Sequence, residues 1–103
     1  MSTPEKSWKF VTNHTQVLLS IARDRDVRMR DIAETVGITE RAAQRIVAEL
    51  IEAGYVSRER VGRRNHYAVN PELKMRHPSQ RDHEVGGLLE LLQLPERPGP
   101  PGQ

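Results

Sequence analysis

The sequence predicts a mainly α-helical domain that contains one small antiparallel β-hairpin and ends in a short C-terminal helix. Residues 30–54 have the pattern of two short helices separated by a glycine turn, and residues 55–69 that of two strands around a second glycine turn. A leucine-rich segment follows after a polar stretch. The chain has 103 residues and no cysteine, which is the size of one domain that folds without disulfides.

The first of the two short helices is indicated by one apolar stripe and a clear end. Ile32, Ala33 and Val36 stand at positions i, i+1 and i+4, which places them on one helical face. Gly37 follows directly, and glycine readily takes the left-handed conformation found after a helix end. Thr39 comes next and is a preferred N-cap residue. The spacing therefore predicts a helix, a tight turn and a second helix.

The second helix has two chemically different faces. Its apolar face consists of Ala43, Ile46, Val47 and Leu50. At about 100° per residue, Arg41, Gln44 and Arg45 point the opposite way. Gly54 marks its end. A helix that must bury one narrow face presents its arginine and glutamine side chains to solvent, as the second helix of a helix-turn-helix does.

The hairpin follows this helix directly. Residues 55–60 begin with strand-forming side chains, and residues 61–64 form a glycine-containing turn with two adjacent arginines, Arg63 and Arg64. Residues 65–69 alternate, so that His66 and Ala68 lie on one face and Tyr67 and Val69 on the other. The sequence therefore predicts two strands joined by a basic tip.

Taken together, IAETVGITERAAQRIVAELIEAGYV and RERVGRRNHYAV resemble the winged helix-turn-helix transcription regulators, especially the MarR-like and ArsR-like bacterial branches. The resemblance covers residues 13–71, somewhat more than half of the chain. It implies a three-helix core with a two- or three-stranded antiparallel sheet, in which residues 27–29 pair with the hairpin as the third strand. The hairpin is then the wing.

The resemblance also implies a sequence-specific regulator that binds double-stranded DNA. The second helix of the motif would enter the major groove, where glutamine suits adenine and arginine suits guanine. The wing would contact phosphate or the adjacent minor groove. The predicted DNA-binding residues are Thr39 and Glu40 at the helix start, Arg41, Gln44 and Arg45 on its exposed face, and Arg63 and Arg64 on the wing.

An alternative function is a winged-helix module that binds another protein without specific DNA binding. The net charge of +2, from 16 basic and 14 acidic residues, does not by itself indicate a polyanionic partner. The distribution favours DNA, because residues 41–67 contain six arginines against three glutamates.

Five segments organise the chain. They are an N-terminal arm (1–11) that contains Trp8 and Phe10, the winged domain (12–71), a linker (72–80), a C-terminal helix (81–94) and a disordered tail (95–103). Asn13 and Gln16 have the spacing of a capping box at the first helix, and Ser79 or Asp82 could cap the last one. Because that last helix is too short to be stable alone, we expect a homodimer. Its interface residues would be Val85, Leu88, Leu89 and Leu92.

Other classes of function lack a motif. There is no apolar run of membrane-spanning length and no apolar signal core, so we expect a cytoplasmic protein without a membrane partner. No nucleophile elbow or phosphate loop is present, so we expect neither enzymatic activity nor a cofactor. The four histidines, His14, His66, His77 and His83, share no metal-ligand spacing. The question of a small-molecule effector stays open, because the additional helices are few and short and the cysteines usual in ArsR-like metal sensors are absent.

Overall fold

A computed structural model describes residues 10–93 of the chain. The elements, in order, are α1 (Asn13–Arg23), α2 (Met29–Val36), α3 (Glu40–Glu52), β1 (Val56–Val61), β2 (Arg64–Val69) and α4 (Val85–Leu92). This order confirms the predicted winged helix-turn-helix with a C-terminal helix. The predicted tail and residues 1–9 of the predicted arm, including Trp8, lie outside the described residues. No helix between residues 10 and 93 combines the length and the hydrophobicity needed to cross a membrane.

The cap of α1 is Thr12, so the predicted capping box at Asn13 is wrong. The Thr12 backbone is extended, and its Oγ1 accepts a hydrogen bond from Thr15 N at 3.3 Å. Asn13 is already the first helical residue. Threonine and asparagine are both preferred N-cap residues, and here the cap is Thr12, directly before the first helical residue.

The turn between α2 and α3 has the predicted chemistry. Gly37 takes the left-handed conformation (φ 86°), and its N–H donates to Ala33 O at 2.8 Å. Thr39 Oγ1 accepts from Ala42 N at 3.0 Å and thereby caps α3. The start of α2 has Arg28 at the N-cap position and no side-chain cap. One tight glycine turn therefore fixes how α3 leaves α2.

The wing is a two-stranded antiparallel hairpin, and the predicted third strand is wrong for the described residues. Val56 pairs with Val69 at the open end and Val61 with Arg64 at the turn. One backbone bond reaches the free edge of β2, where Tyr67 N donates to Arg25 O at 3.0 Å. Because α2 already begins at Met29, the short connection from α1 leaves no room for a paired strand.

The core lies where the helices meet the hairpin. Its buried apolar side chains come from all four helices of the described residues and from both strands of the wing, toward the open end of the hairpin. Val17, Ile21 and Ile32 are the largest fully buried members. In α3 the buried residues are Ala43, Ile46, Val47 and Leu50, the four residues of the predicted apolar face. The opposite face of α3 is consequently turned to solvent.

The segment 72–80, expected to be a linker, is attached to the core over its first half. Leu73 and Met75 are partly buried against the core. The hydroxyl of buried Tyr55 donates a hydrogen bond to Lys74 O at 2.6 Å. The backbones of Lys74 and Glu84 pair in an isolated antiparallel β-bridge. These contacts carry the chain back across the domain and position the start of α4.

The C-terminal helix is shorter than expected and begins differently. It spans eight residues, and Glu84 occupies its N-cap position without a side-chain cap, so neither Ser79 nor Asp82 caps it. Two of its first N–H groups are satisfied by backbone carbonyls instead: Val85 N donates to Leu73 O and Gly86 N to Pro71 O, at 2.9 and 2.8 Å. The attached segment therefore supplies the cap that the side chains do not.

Two apolar residues of α4 are buried against other residues of the same chain. Val85 and Leu89 are buried in the core, and Leu92 is partly buried against it. Leu88 is half-buried, whereas Leu91 is 63% exposed. The expectation that these side chains lack a partner in so small a core is wrong for Val85 and Leu89, because the segment 72–80 folds α4 onto α1.

The two adjacent glycines of α4 provide a matched test of this packing. A Cβ on Gly86 would lie 2.7 Å from Pro71 Cβ and 2.8 Å from Pro71 O, whereas a Cβ on Gly87 meets nothing within 4 Å. We expect Gly86→Ala to destabilise the fold by about 1–3 kcal/mol through overpacking. Gly87→Ala should stabilise it by up to about 1 kcal/mol through helix propensity. Urea unfolding of both variants measures the difference, and equal effects would contradict the close approach of α4 to Pro71.

Candidate nucleic-acid interface

The exposed face of α3 carries the predicted base-reading side chains. Arg41, Gln44 and Arg45 are all exposed, as are Thr39 and Glu40 at the helix start. The Thr39 hydroxyl accepts the capping bond, which leaves its O–H and its second lone pair available to a ligand. Because the opposite face is buried, packing alone keeps the three long side chains turned outward. Their hydrogen-bonding groups suit base edges and phosphates.

Arg45 is joined to a residue that the sequence analysis did not select. Its Nη1 donates to Glu49 Oε2 at 3.3 Å, one turn further along α3. The other oxygen of that carboxylate, Oε1, lies 2.7 Å from His14 Nε2 on α1. Since an ionised carboxylate only accepts, Nε2 carries the proton in this bond. Glu49 therefore links the exposed face of α3 to the first turn of α1.

This arrangement keeps the Glu49 carboxylate ionised. The hydrogen bond from His14 is the largest cause that holds the pKa of Glu49 below its ordinary value. Burial is the next cause and opposes it, and the charge and hydrogen bond of Arg45 add to the lowering. A permanent negative charge consequently sits beside Arg45. It draws the Arg45 guanidinium along α3 toward α1.

Gln44 faces a different neighbour. It lines a shallow depression of about 290 Å³ between α3, the start of α2 and strand β2. Arg28 and Arg64 line the same depression, together with Asn65 and Tyr67. The fold thus brings a glutamine amide and two arginines from three separate elements to one concave surface.

The wing tip holds Arg63 and Arg64 in different ways. Gly62 and Arg63 are the two central residues of the turn, and Gly62 has a positive φ of 64°, the arrangement of a type II′ hairpin turn. Arg63 is exposed, and its side chain makes no hydrogen bond or ion pair within residues 10–93. Arg64 instead donates from Nη2 to Asp26 O at 2.8 Å. Only Arg63 projects from the tip.

Strand β2 is fastened to the loop between α1 and α2 by residues on the turn side of the strand. Besides the Arg64 bond, His66 Nε2 lies 3.1 Å from Asp26 Oδ1. With the backbone bond from Tyr67 to Arg25, three contacts join β2 to that loop. The wing is therefore held at a fixed angle to α2 and α3.

Sequence reasoning missed Arg28, Asp26, His14 and Glu49. The i, i+4 spacing of Arg45 and Glu49 was a readable signal for one of them. The other contacts join residues far apart in the chain and have no local signature. No cluster of three or more metal-ligating side chains forms within residues 10–93.

The lowered pKa of Glu49 makes a pH-dependent contribution to stability. A carboxyl group with a depressed folded-state pKa stabilises the fold above its ordinary pKa, and the contribution is lost as the pH falls through the depressed value. We expect Glu49→Gln to lower the melting temperature slightly at pH 7 and to leave it unchanged at pH 3. Thermal melts between these pH values measure this, with Glu52→Gln as the control on the same helix. An equal response of both variants would contradict the role of the His14 bond.

The model of the MarR family matches residues 11–64, just over half of the chain, which includes α1, α2, α3, β1 and the turn of the wing. All seven predicted DNA-binding residues fall inside this range. No curated protein matches the chain. The helix-turn-helix, the wing and the matched range together show that this chain belongs to the MarR family of DNA-binding transcription regulators.

Proposed function

We propose that this protein is a sequence-specific regulator that reads double-stranded DNA with α3 in the major groove and holds the backbone or the minor groove with the wing. The observation that carries the proposal is the exposed face of α3. Its Arg41, Gln44 and Arg45 are directed outward because the other face is buried. Arg63 and Arg64 lie on the adjoining wing, where phosphate contacts would orient the helix.

The depression beside Gln44 supports phosphate binding at the same surface. Arg28 stands at the start of α2, whose first N–H groups have no side-chain cap. Uncapped helix N-termini favour anions, and a guanidinium at the same place strengthens that preference. A DNA backbone that passes between α2 and the wing would therefore meet Arg28 and Arg64 while Gln44 faces the groove.

The pairing of Arg45 with Glu49 does not prevent base reading. An exposed i, i+4 ion pair contributes about 0.3–0.5 kcal/mol. A bidentate contact between arginine and guanine contributes about 1–3 kcal/mol of discrimination. Exchange of Glu49 for a guanine edge is therefore favourable, and the carboxylate stays paired with His14.

The proposal is tested by selection of bound sites from random duplex DNA at several salt concentrations. A specific regulator selects a defined sequence and binds random duplex with a steep salt dependence. The alternative, a protein-binding module, selects none and shows no such dependence. The exposed Leu91 would suit the alternative, but the arginine and glutamine face favours DNA.

Arg45→Ala tests base reading on the selected site. We expect a loss of about 1–3 kcal/mol in binding and a relaxed preference at one base pair, with a much smaller loss on random DNA. Binding titrations against the selected site and its single-base variants measure this. Arg81→Ala is the control, because it removes an exposed arginine outside the helix-turn-helix and wing. A uniform loss over all variants would make Arg45 a phosphate contact.

The wing arginines test backbone binding. Arg63→Ala should reduce the log–log salt slope by about one unit and weaken specific and random DNA equally. Arg64→Ala should do the same and also loosen the wing, since it removes the bond to Asp26 O. Salt titrations combined with thermal melts separate the two effects. A slope that neither substitution changes would remove the wing from the interface.

We further propose a homodimer whose interface is the outer side of α4. Of the four residues expected there, Val85 and Leu89 are already buried within the chain, and Leu92 partly so. Leu88 and the neighbouring Leu91 keep accessible surface. A second copy that covers Leu91, the more exposed of the two, would place two recognition helices on one duplex.

Leu91→Glu tests the dimer without removing core side chains, which truncation of α4 would do. We expect sedimentation equilibrium to give the monomer mass for Leu91→Glu and twice that mass for the natural chain. The melting temperature extrapolated to low protein concentration should stay unchanged, because Leu91 is 63% exposed. An unchanged mass would place the interface elsewhere or exclude a dimer.

A further inference from the structure

A second concave site lies on the side of α3 that faces α1 and the C-terminal segment. Its volume is about 630 Å³, within the range of sites that hold a large organic group. Buried Leu18 and Leu50 contribute to its lining, and Ala53, Met75 and Leu88 are half-exposed around them. We call this site the α1–α3 groove. An apolar surface of this size favours an occupant that removes it from water.

The polar side chains of the groove restrict the kind of occupant. Glu49, Glu52 and His14 line it together with Thr15. Carboxylates and a hydroxyl are hydrogen-bond acceptors, so the groove suits an apolar body that carries a donor. Arg76 also lines the groove, but two glutamates against one arginine leave the lining net negative, which favours an occupant with neighbouring positive charge.

The first described residues of the chain lie next to this groove. Thr12 and Thr15, at the start of α1, belong to the lining, and the described structure begins two residues before Thr12. The backbone bends at residues 10 and 11, directly before the cap of α1. Nine residues precede this point, and they include Trp8 between Lys6 and Lys9. Trp8 lies four positions before Thr12, a span of at most about 14 Å.

We propose that the α1–α3 groove is the docking site of the N-terminal arm of the same chain, with the Trp8 indole as the inserted group. The indole has a large apolar body and one N–H donor, which matches the apolar lining and the acceptors. Lys6 and Lys9 on either side provide the positive charge that suits Glu49 and Glu52. Phe10 is 91% exposed and does not occupy the groove.

Attachment to α1 favours the chain's own arm over a free ligand or a second copy. A short flexible connection gives an effective concentration in the millimolar range. Burial of an aromatic side chain removes about 150–250 Å² of surface from water and stabilises by about 25 cal/mol per Å². This gain offsets the cost of ordering a few residues. The docked arm would also cover Glu49 and His14, which link α1 to Arg45.

Trp8 is the only tryptophan, so its fluorescence reports its surroundings without labelling. We expect the full chain to emit at shorter wavelength than a peptide of residues 1–12 and to be quenched less by acrylamide. Both properties should be the same at nanomolar and micromolar protein, because docking is intramolecular. Emission and quenching equal to those of the peptide would overturn the proposal, as would a dependence on protein concentration, which indicates a second copy.

Two substitutions in the groove and one outside it locate the docked indole. Leu88→Glu and Met75→Glu each place a carboxylate in the groove, and either one should shift the emission to that of the peptide. Leu91→Glu changes a leucine of the same helix outside the lining and should leave the emission unchanged. Circular dichroism identifies which variants are folded. A tryptophan that stays protected in a folded Leu88→Glu or Met75→Glu chain would show that Trp8 docks elsewhere, and would overturn the proposal without bearing on DNA binding.

Discussion

Burial of one narrow face of α3 is the constraint on which the rest of the structure depends. Ala43, Ile46, Val47 and Leu50 occupy the centre of the core, where α1, α2 and the hairpin converge. A helix with four buried positions on one side cannot rotate about its axis without exposing them to water, at a cost of about 25 cal/mol per Å² of apolar surface. Its polar face is consequently fixed in direction, and that direction defines the proposed DNA-binding surface.

The wing and the connection between α1 and α2 form a second rigid unit. Asp26 contacts both Arg64 and His66, and the backbone of β2 bonds to Arg25. The two side-chain contacts lie near the surface and are individually weak, but they act with the backbone bond at one edge of a short hairpin. A two-stranded hairpin is marginal alone. Its attachment to this loop and to α3 gives the wing arginines a defined place beside the recognition helix.

The C-terminal part completes the core rather than standing apart from it. Leu73 and Val85 are joined by a backbone hydrogen bond, and Gly86 packs directly on Pro71. This close approach requires glycine, whereas the neighbouring Gly87 has no such contact. With Val85 and Leu89 turned inward, α4 presents Leu88 to the α1–α3 groove and retains Leu91 for contacts outside the chain.

The sequence by itself determined the local elements. Glycine at position 37, threonine at 39, the apolar spacing in α3 and the alternation in β2 act through backbone conformation and helical or strand periodicity, so they could be read from neighbouring residues. The same periodicity identified which α3 residues are exposed. Only the tertiary structure decided which residues meet across the chain: Glu49 with His14, Asp26 with Arg64, and α4 with α1, and that Arg28 and Gln44 line one depression. These contacts depend on the packing of elements that are distant in sequence, and short-range periodicity contains no information about that packing.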